Sequence, residues 1–154
     1  MRLNDLLAKD RIDTSLSAAN KPAALDALAA LLARGTEGIP VDAIAKVLRD
    51  REALASTGVG DEVAIPHGKL SGLKHVVAAL ALVPGGVEFD SIDRKPVKIF
   101  VAILAPERAA SDHLRALARC SKLLRDPRIR ERLIAATSAD DVLAVVREES
   151  ANSG

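Results

Sequence analysis

Two short, mostly apolar runs, "VVAALALV" at 76–83 and "VKIFVAIL" at 97–104, constrain the fold more than anything else in the chain. Each is too short for a typical buried helix and is bounded by Gly or Pro, the pattern of a strand covered on one or both faces. A third run, "EVAIPH" at 62–67, is similar, with Pro66 expected to close it. Strands that are apolar on both sides need cover on both sides, and helical periodicity before and after this central third supplies it. The expected class is therefore α/β, close to α+β in the order of its elements, with a central mixed β-sheet flanked by helices. Strand order and direction stay open, because Gly85–Gly86 and "DSIDRKP" at 90–96 permit hairpins or a longer crossover.

The covering helices carry their own punctuation. "NKPAALDALAALLARG" predicts a helix capped by Asn20, with Pro22 in its first turn, a stripe of Leu25, Leu28 and Leu32, and a stop at Gly35. "PVDAIAKVLRDREALASTG" predicts a second, with Ile44, Val47, Leu48 and Leu54 on its apolar face, running out near Ser56 and ending at Gly58. "SDHLRALARCSKLLRD" offers Ser111 as a cap, "DPRIRERLIAA" begins with Asp126 and Pro127, and "SADDVLAVVREE" has Ser138 and Asp141 in capping-box spacing. The tail "SANSG" at 150–154 is expected to fray. No internal repeat or low-complexity segment interrupts this order, and 154 residues suit one domain, 1–154, burying ~68–70% of the unfolded chain's surface.

Charge and composition remove several classes of function. Lys and Arg number 22 against 21 Asp and Glu, so no net field draws the chain to a polyanion, and an aromatic content of 1% leaves no stacking platform for single-stranded nucleic acid. No nucleic-acid partner is expected. The apolar runs fall short of a bilayer's thickness and "MRLNDLLAKDR" is charged where a signal peptide is apolar, so neither membrane insertion nor export is expected. A single cysteine, Cys120, reads as a buried or half-buried helix thiol in a cytoplasmic protein. The three histidines show no metal-ligand spacing, "TGVGDEV" lacks the third glycine of a dinucleotide fingerprint, no Walker lysine sits in a phosphate loop and no "GxSxG" elbow occurs. Neither metal nor cofactor is expected.

"STGVGDEVAIPHGKL" at 56–70 holds the one histidine in a built setting. Pro66 fixes its own φ and pushes Ile65 towards an extended conformation, which aims the His67 ring. Gly68 is expected to leave space beside the imidazole, and Gly58 and Gly60 to let another loop pass close by. Neutral imidazole is a nucleophile near neutral pH without an external base, and a phosphoryl group is a natural electrophile for it. Such a group needs positive charge and hydrogen-bond donors around its oxygens. Arg51, Ser56 and Thr57 are candidates, as is His113, in the first turn of its helix where anions and a neutral ring are favoured. The plain alternatives are a satisfied His67, a His113 that is simply a first-turn polar residue, and an Arg51 on the solvated face "RDRE", where an ion pair is worth ~0.3–0.5 kcal/mol. His75 reads as surface.

"REALASTGVGDEVAIPHGKL", "FDSIDRKPVKIFVAILAP" and "DHLRALARCSKLLRD" together resemble the enzyme IIA domain of the fructose and mannitol class of the bacterial phosphotransferase system, most of all its nitrogen-regulatory branch. The resemblance covers nearly the whole chain. It implies a mixed sheet flanked by helices and matches His67 to the family's phosphorylated histidine, which takes its phosphoryl group on Nε2 from a phosphocarrier of the HPr or NPr type. It also matches His113 to the second active-site histidine and Arg51 to the arginine of "RE-L-STG". One departure is "DEVA" in place of the more usual "NGIA". The implied role is a phosphohistidine relay that signals through its phosphorylation state, acting on regulatory target proteins, without independent turnover of a small molecule. Two alternatives stand beside it: a sugar-uptake component passing phosphate to a IIB partner of a permease, and a non-catalytic interaction module.

Overall fold

A computed structural model describes residues 2–152, with side chains through Arg147. In chain order the elements are α1 (Leu3–Leu6), a 3-10 turn (Lys9–Arg11), β1 (Ile12–Asp13), α2 (Lys21–Ala33), α3 (Val41–Leu54), β2 (Gly58–Gly60), β3 (Val63–Ala64), β4 (His67–Leu70), β5 (Val77–Val87), β6 (Val97–Pro106), α4 (Ala110–Leu124), α5 (Pro127–Ile134) and α6 (Ala139–Asn152).

The two long apolar runs form the antiparallel centre, β5 beside β6, and the remaining strands attach to their outer edges. β1 joins β5 in parallel, β3 and β4 both join β6 in parallel, and β2 pairs antiparallel with β3, so the sheet is mixed, as expected. Alternation then sorts the side chains by face. Leu80, Leu82, Val101 and Ile103 meet α1, α4, α5 and α6 on one face. Ala79, Ala81, Phe100, Ala102 and Leu104 meet α2 and α3 on the other. Alanines on the second face let α2 and α3 lie close, while Phe89 and Phe100 fill it edge to face with centroids 5.1 Å apart.

Several expectations about local structure change. Pro66 does not end the sheet's contact with that segment: Ala64 pairs with Phe100 and His67 with Ile103, one register with Ile65–Pro66 between. Proline has no N–H to give the ladder, and the Ile65 N–H turns instead to the Thr57 carbonyl at 3.0 Å. Gly85–Gly86 is not a hairpin turn but lies in an irregular stretch of β5 between Leu82 and Val87, and the loop to β6 falls at 88–96. Helix α3 stops at Leu54, with Ala55 extended, and Leu54 is 81% exposed, not part of the apolar face. Asn20 caps α2 and Asp126 caps α5 as expected, but α4 starts one residue before Ser111, with Ala109 at the cap position. The Ser138 hydroxyl accepts from the Asp141 N–H, whereas the Asp141 carboxylate reaches back to the Thr137 N–H. Helix α6 continues through 150–152 where fraying was expected, and 153–154 lie outside the described residues.

The departure "DEVA" has a structural cost. Asp61 and Glu62 join β2 to β3 as a two-residue turn with φ of 56° and 67°, both left-handed. An Asn-Gly pair suits that turn better than Asp-Glu. Here the Glu62 carbonyl accepts from the N–H groups of Lys98 and Ile99, and its carboxylate pairs with Lys98 at 3.3 Å, which holds the turn against β6.

Candidate functional site

His67 opens β4 on the face covered by α4, because its register partner is Ile103. The ring is half-buried. Its Nδ1 lies 2.7 Å from the Ile65 carbonyl oxygen. A carbonyl only accepts, so Nδ1 carries the proton and donates, which leaves the Nε2 lone pair as the ring's open nucleophilic position. Burial lowers the pKa of His67 below the usual imidazole value of 6.5; the Ile65 hydrogen bond and the Glu52 carboxylate act against this, while the Arg51 guanidinium acts with it. At neutral pH the ring is therefore uncharged and nucleophilic.

His113, on the first turn of α4, stands against it: the ring centroids are 5.4 Å apart and the planes meet at 67°. His113 is 6% exposed, and its Nε2 is buried with no hydrogen-bond partner. Leaving such an atom unpaired costs roughly 1–3 kcal/mol, and a group bound between the two rings would relieve it. Burial first, then the nearby His67 and Lys69, lower the His113 pKa, so this ring too is neutral at pH 7. Lys69 stands two residues beyond His67 on the same side of β4, exposed. Arg51, on the last turn of α3, donates to the Ala55 carbonyl at 2.9 Å, holding the end of its helix while its charge reaches His67. Of the expected trio, His67 and His113 thus stand ring against ring, and the Arg51 charge is felt at His67.

The other three expected residues are used differently. The Ser56 hydroxyl donates to the Phe89 carbonyl at 2.7 Å and accepts from the Gly58 N–H. The buried Thr57 hydroxyl donates to Glu52. Both hydroxyl protons are therefore committed to the protein and not offered to an anion at His67. Gly68 faces the opposite side of the sheet from His67, where a Cβ would come within 2.3 Å of Val47 Cγ1. Its missing side chain makes room for α3 and not for a group on the imidazole.

Sequence reasoning missed Glu52, weighing the charged run "RDRE" only for Arg51. Glu52 turns inward, 7% exposed, and accepts from the Thr57 N–H at 2.8 and 3.0 Å, from the Thr57 hydroxyl and from Lys21 Nζ at 3.1 Å. A Thr five residues further on was the only available signal. Cys120 is buried and its thiol is pushed up to about 12, so it is chemically quiet. Among the described residues no group of three His, Cys, Asp or Glu is placed to hold a metal ion, and no helix is long and apolar enough to cross a membrane.

The family described as "Phosphoenolpyruvate-dependent sugar phosphotransferase system, EIIA 2" matches residues 5–149. A nitrogen regulatory protein of Bradyrhizobium diazoefficiens is 41% identical over 146 residues, covering 95% of each chain. The fructose-specific EIIABC component of Bacillus subtilis is 30% identical over 148 residues, 96% of this chain but only 23% of that much longer protein. Among solved structures, nitrogen regulatory protein IIA-Ntr from Neisseria meningitidis superposes with a TM-score of 0.88 at 31% identity, covering 94% of this chain and 98% of that one.

Proposed function

The chain belongs to the EIIA type 2 family of the phosphoenolpyruvate-dependent sugar phosphotransferase system, and from that premise we propose that it is a phosphoryl carrier in which His67 Nε2 accepts the group from a phosphohistidine donor of the HPr or NPr type. The observation that carries this is the 2.7 Å contact from Nδ1 to the Ile65 carbonyl, which fixes the tautomer with a free Nε2 on a half-buried ring. In the step, the Nε2 lone pair forms a bond to phosphorus as the donor's P–N bond breaks, and that electron pair returns to the donor nitrogen. The His67 proton stays on Nδ1 against Ile65. The unpaired His113 Nε2, carrying its proton, donates to a phosphoryl oxygen, and Arg51 supplies positive charge. No nucleotide or metal is needed, since the donor bond is already activated.

We take residues 1–154 as one EIIA unit, supported by the family match over 5–149, and favour a regulatory role because a nitrogen regulatory protein matches over 95% of both chains. Its signal is then its phosphorylation state, read in the cytoplasm by target proteins. The match to the fructose-specific EIIABC component favours a second reading, in which the phosphoryl group passes on to a IIB partner. Incubation with enzyme I, phosphocarrier and phosphoenolpyruvate tests the common core. The expected result is an acid-labile mass gain of one phosphoryl group that His67→Ala abolishes; no gain in the wild type refutes it. Adding a fructose- or mannitol-type IIB then separates the two: rapid loss of the group to IIB supports uptake, and retention supports regulation.

A further inference from the structure

A series of hydrogen bonds links the nucleophile's backbone acceptor to a buried carboxylate. It begins at the Glu52 carboxylate, which accepts the Thr57 N–H. The Thr57 carbonyl accepts the Ile65 N–H at 3.0 Å. The Ile65 carbonyl accepts from His67 Nδ1 at 2.7 Å. Thr57 and Ile65, each held through its own N–H and its own carbonyl, thus tie a buried carboxylate to the backbone acceptor of the imidazole. The buried end is tethered by Lys21, whose Nζ also lies 3.4 Å from Asp90 and 4.8 Å from the centre of the Phe89 ring.

We propose that Glu52 is a positioning residue for His67, acting through Thr57 and Ile65 to hold the Nδ1–H tautomer and to place negative charge behind the ring as Nε2 bonds to phosphorus. This rests on the acceptor role proposed for His67. When the lone pair of Nε2 becomes the N–P bond and the proton remains on Nδ1, the imidazole takes on positive charge. The Glu52 carboxylate, whose charge is felt at His67, stabilises that positive charge through space, without touching the phosphoryl group and without accepting the proton. The buried glutamate is satisfied where it lies: its oxygens accept from Thr57 and pair with Lys21. His113 faces the ring from α4, the Arg51 charge on α3 is felt at it, and Lys69 stands two residues along β4. Among the described residues Glu52 is the one carboxylate whose charge is felt at His67, so its removal is read in one direction.

The test uses the unphosphorylated full chain, so it does not depend on phosphoryl transfer occurring. The His67 titration midpoint and its tautomer are followed by nitrogen-detected NMR in the wild type, Glu52→Gln and Asp90→Asn; the last alters the same lysine's surroundings outside this series of hydrogen bonds. Glu52→Gln is expected to lower the midpoint and the Nδ1–H fraction and to slow acceptance from the phosphocarrier roughly tenfold, as for loss of one charge felt through a dielectric of about 20. Asp90→Asn is expected to leave both as they are. An unchanged midpoint in Glu52→Gln, or an equal change in both variants, overturns the proposal. If Glu52→Gln loses its fold by circular dichroism, Lys21→Met is read instead: it keeps the carboxylate but removes its counter-charge, so the midpoint must rise, and no rise overturns the proposal. A wild type that never accepts phosphate defeats the carrier reading yet leaves these midpoints to decide the role of Glu52.

Discussion

Replacing Gly68 by Ala separates two roles for the glycine beside the nucleophile. The added Cβ would lie 2.3 Å from Val47 Cγ1, about 1 Å inside the closest ordinary carbon contact. Val47 is β-branched in a helix interior and held to one χ1 well, so it cannot easily swing away, and α3 must shift against β4. Overpacking of this kind costs about 1–3 kcal/mol, and for a chain of this size each kcal/mol lowers Tm by about 2–4 °C. Denaturant unfolding of Gly68→Ala, Val47→Ala and the double variant forms a cycle. The double variant is expected to recover at least ~1 kcal/mol over the sum of the single changes, because removing the Val47 methyls makes room for the new one. It is also expected to accept phosphate nearly as fast as Val47→Ala alone, since residue 68 faces away from the His67 ring. A Gly68→Ala protein with native stability but no phosphorylation would refute this, and would return Gly68 to the role of clearing space at the imidazole.

Glu62→Gly is expected to stabilise the fold by up to about 1 kcal/mol, relieving a left-handed residue at φ 67° despite loss of the Lys98 ion pair; denaturant midpoints decide, and a loss of stability shows that the pair outweighs the strain. His113→Ala is expected to slow phosphoryl acceptance roughly 10²-fold without abolishing it, because a donor is lost and not the nucleophile; an unchanged rate removes His113 from the mechanism. Stability is expected to fall as pH drops below 6.5. Buried His113 has a lowered pKa, so the unfolded chain takes up its proton first and the ring's contribution to stability is full only above the unfolded value. His113→Gln should therefore flatten the stability profile between pH 7 and 5.5, by at most about 1.4 kcal/mol per pH unit, and an identical profile contradicts a neutral buried ring.

The sequence made the architecture legible where apolar patterning dominates: β5 and β6 are buried on both faces, and α2 and α5 announce themselves through Asn20 and Asp126. It was silent on β1, two residues whose strand character exists only through parallel pairing of Ile12 and Asp13 with β5. His67, His113 and Arg51 were legible as chemistry-bearing residue types at motif positions. Ser56 and Thr57 were assigned to an anion because hydroxyl side chains look alike in sequence, whereas tertiary contacts from Phe89 and Glu52 decide where they donate. Glu52 was hidden by its charged neighbours. The Ile65 carbonyl was hidden because a backbone group carries no signature of its own, although it sets the tautomer.

Everything proposed for the site turns on which imidazole nitrogen is open. Phosphorylation by the phosphocarrier followed by phosphorus–nitrogen coupling in labelled protein identifies the bonded atom. The structure predicts a single phosphoryl group on Nε2 of His67 with the proton retained on Nδ1. A phosphoryl group on Nδ1 of His67, or on the ring of His113, would contradict it.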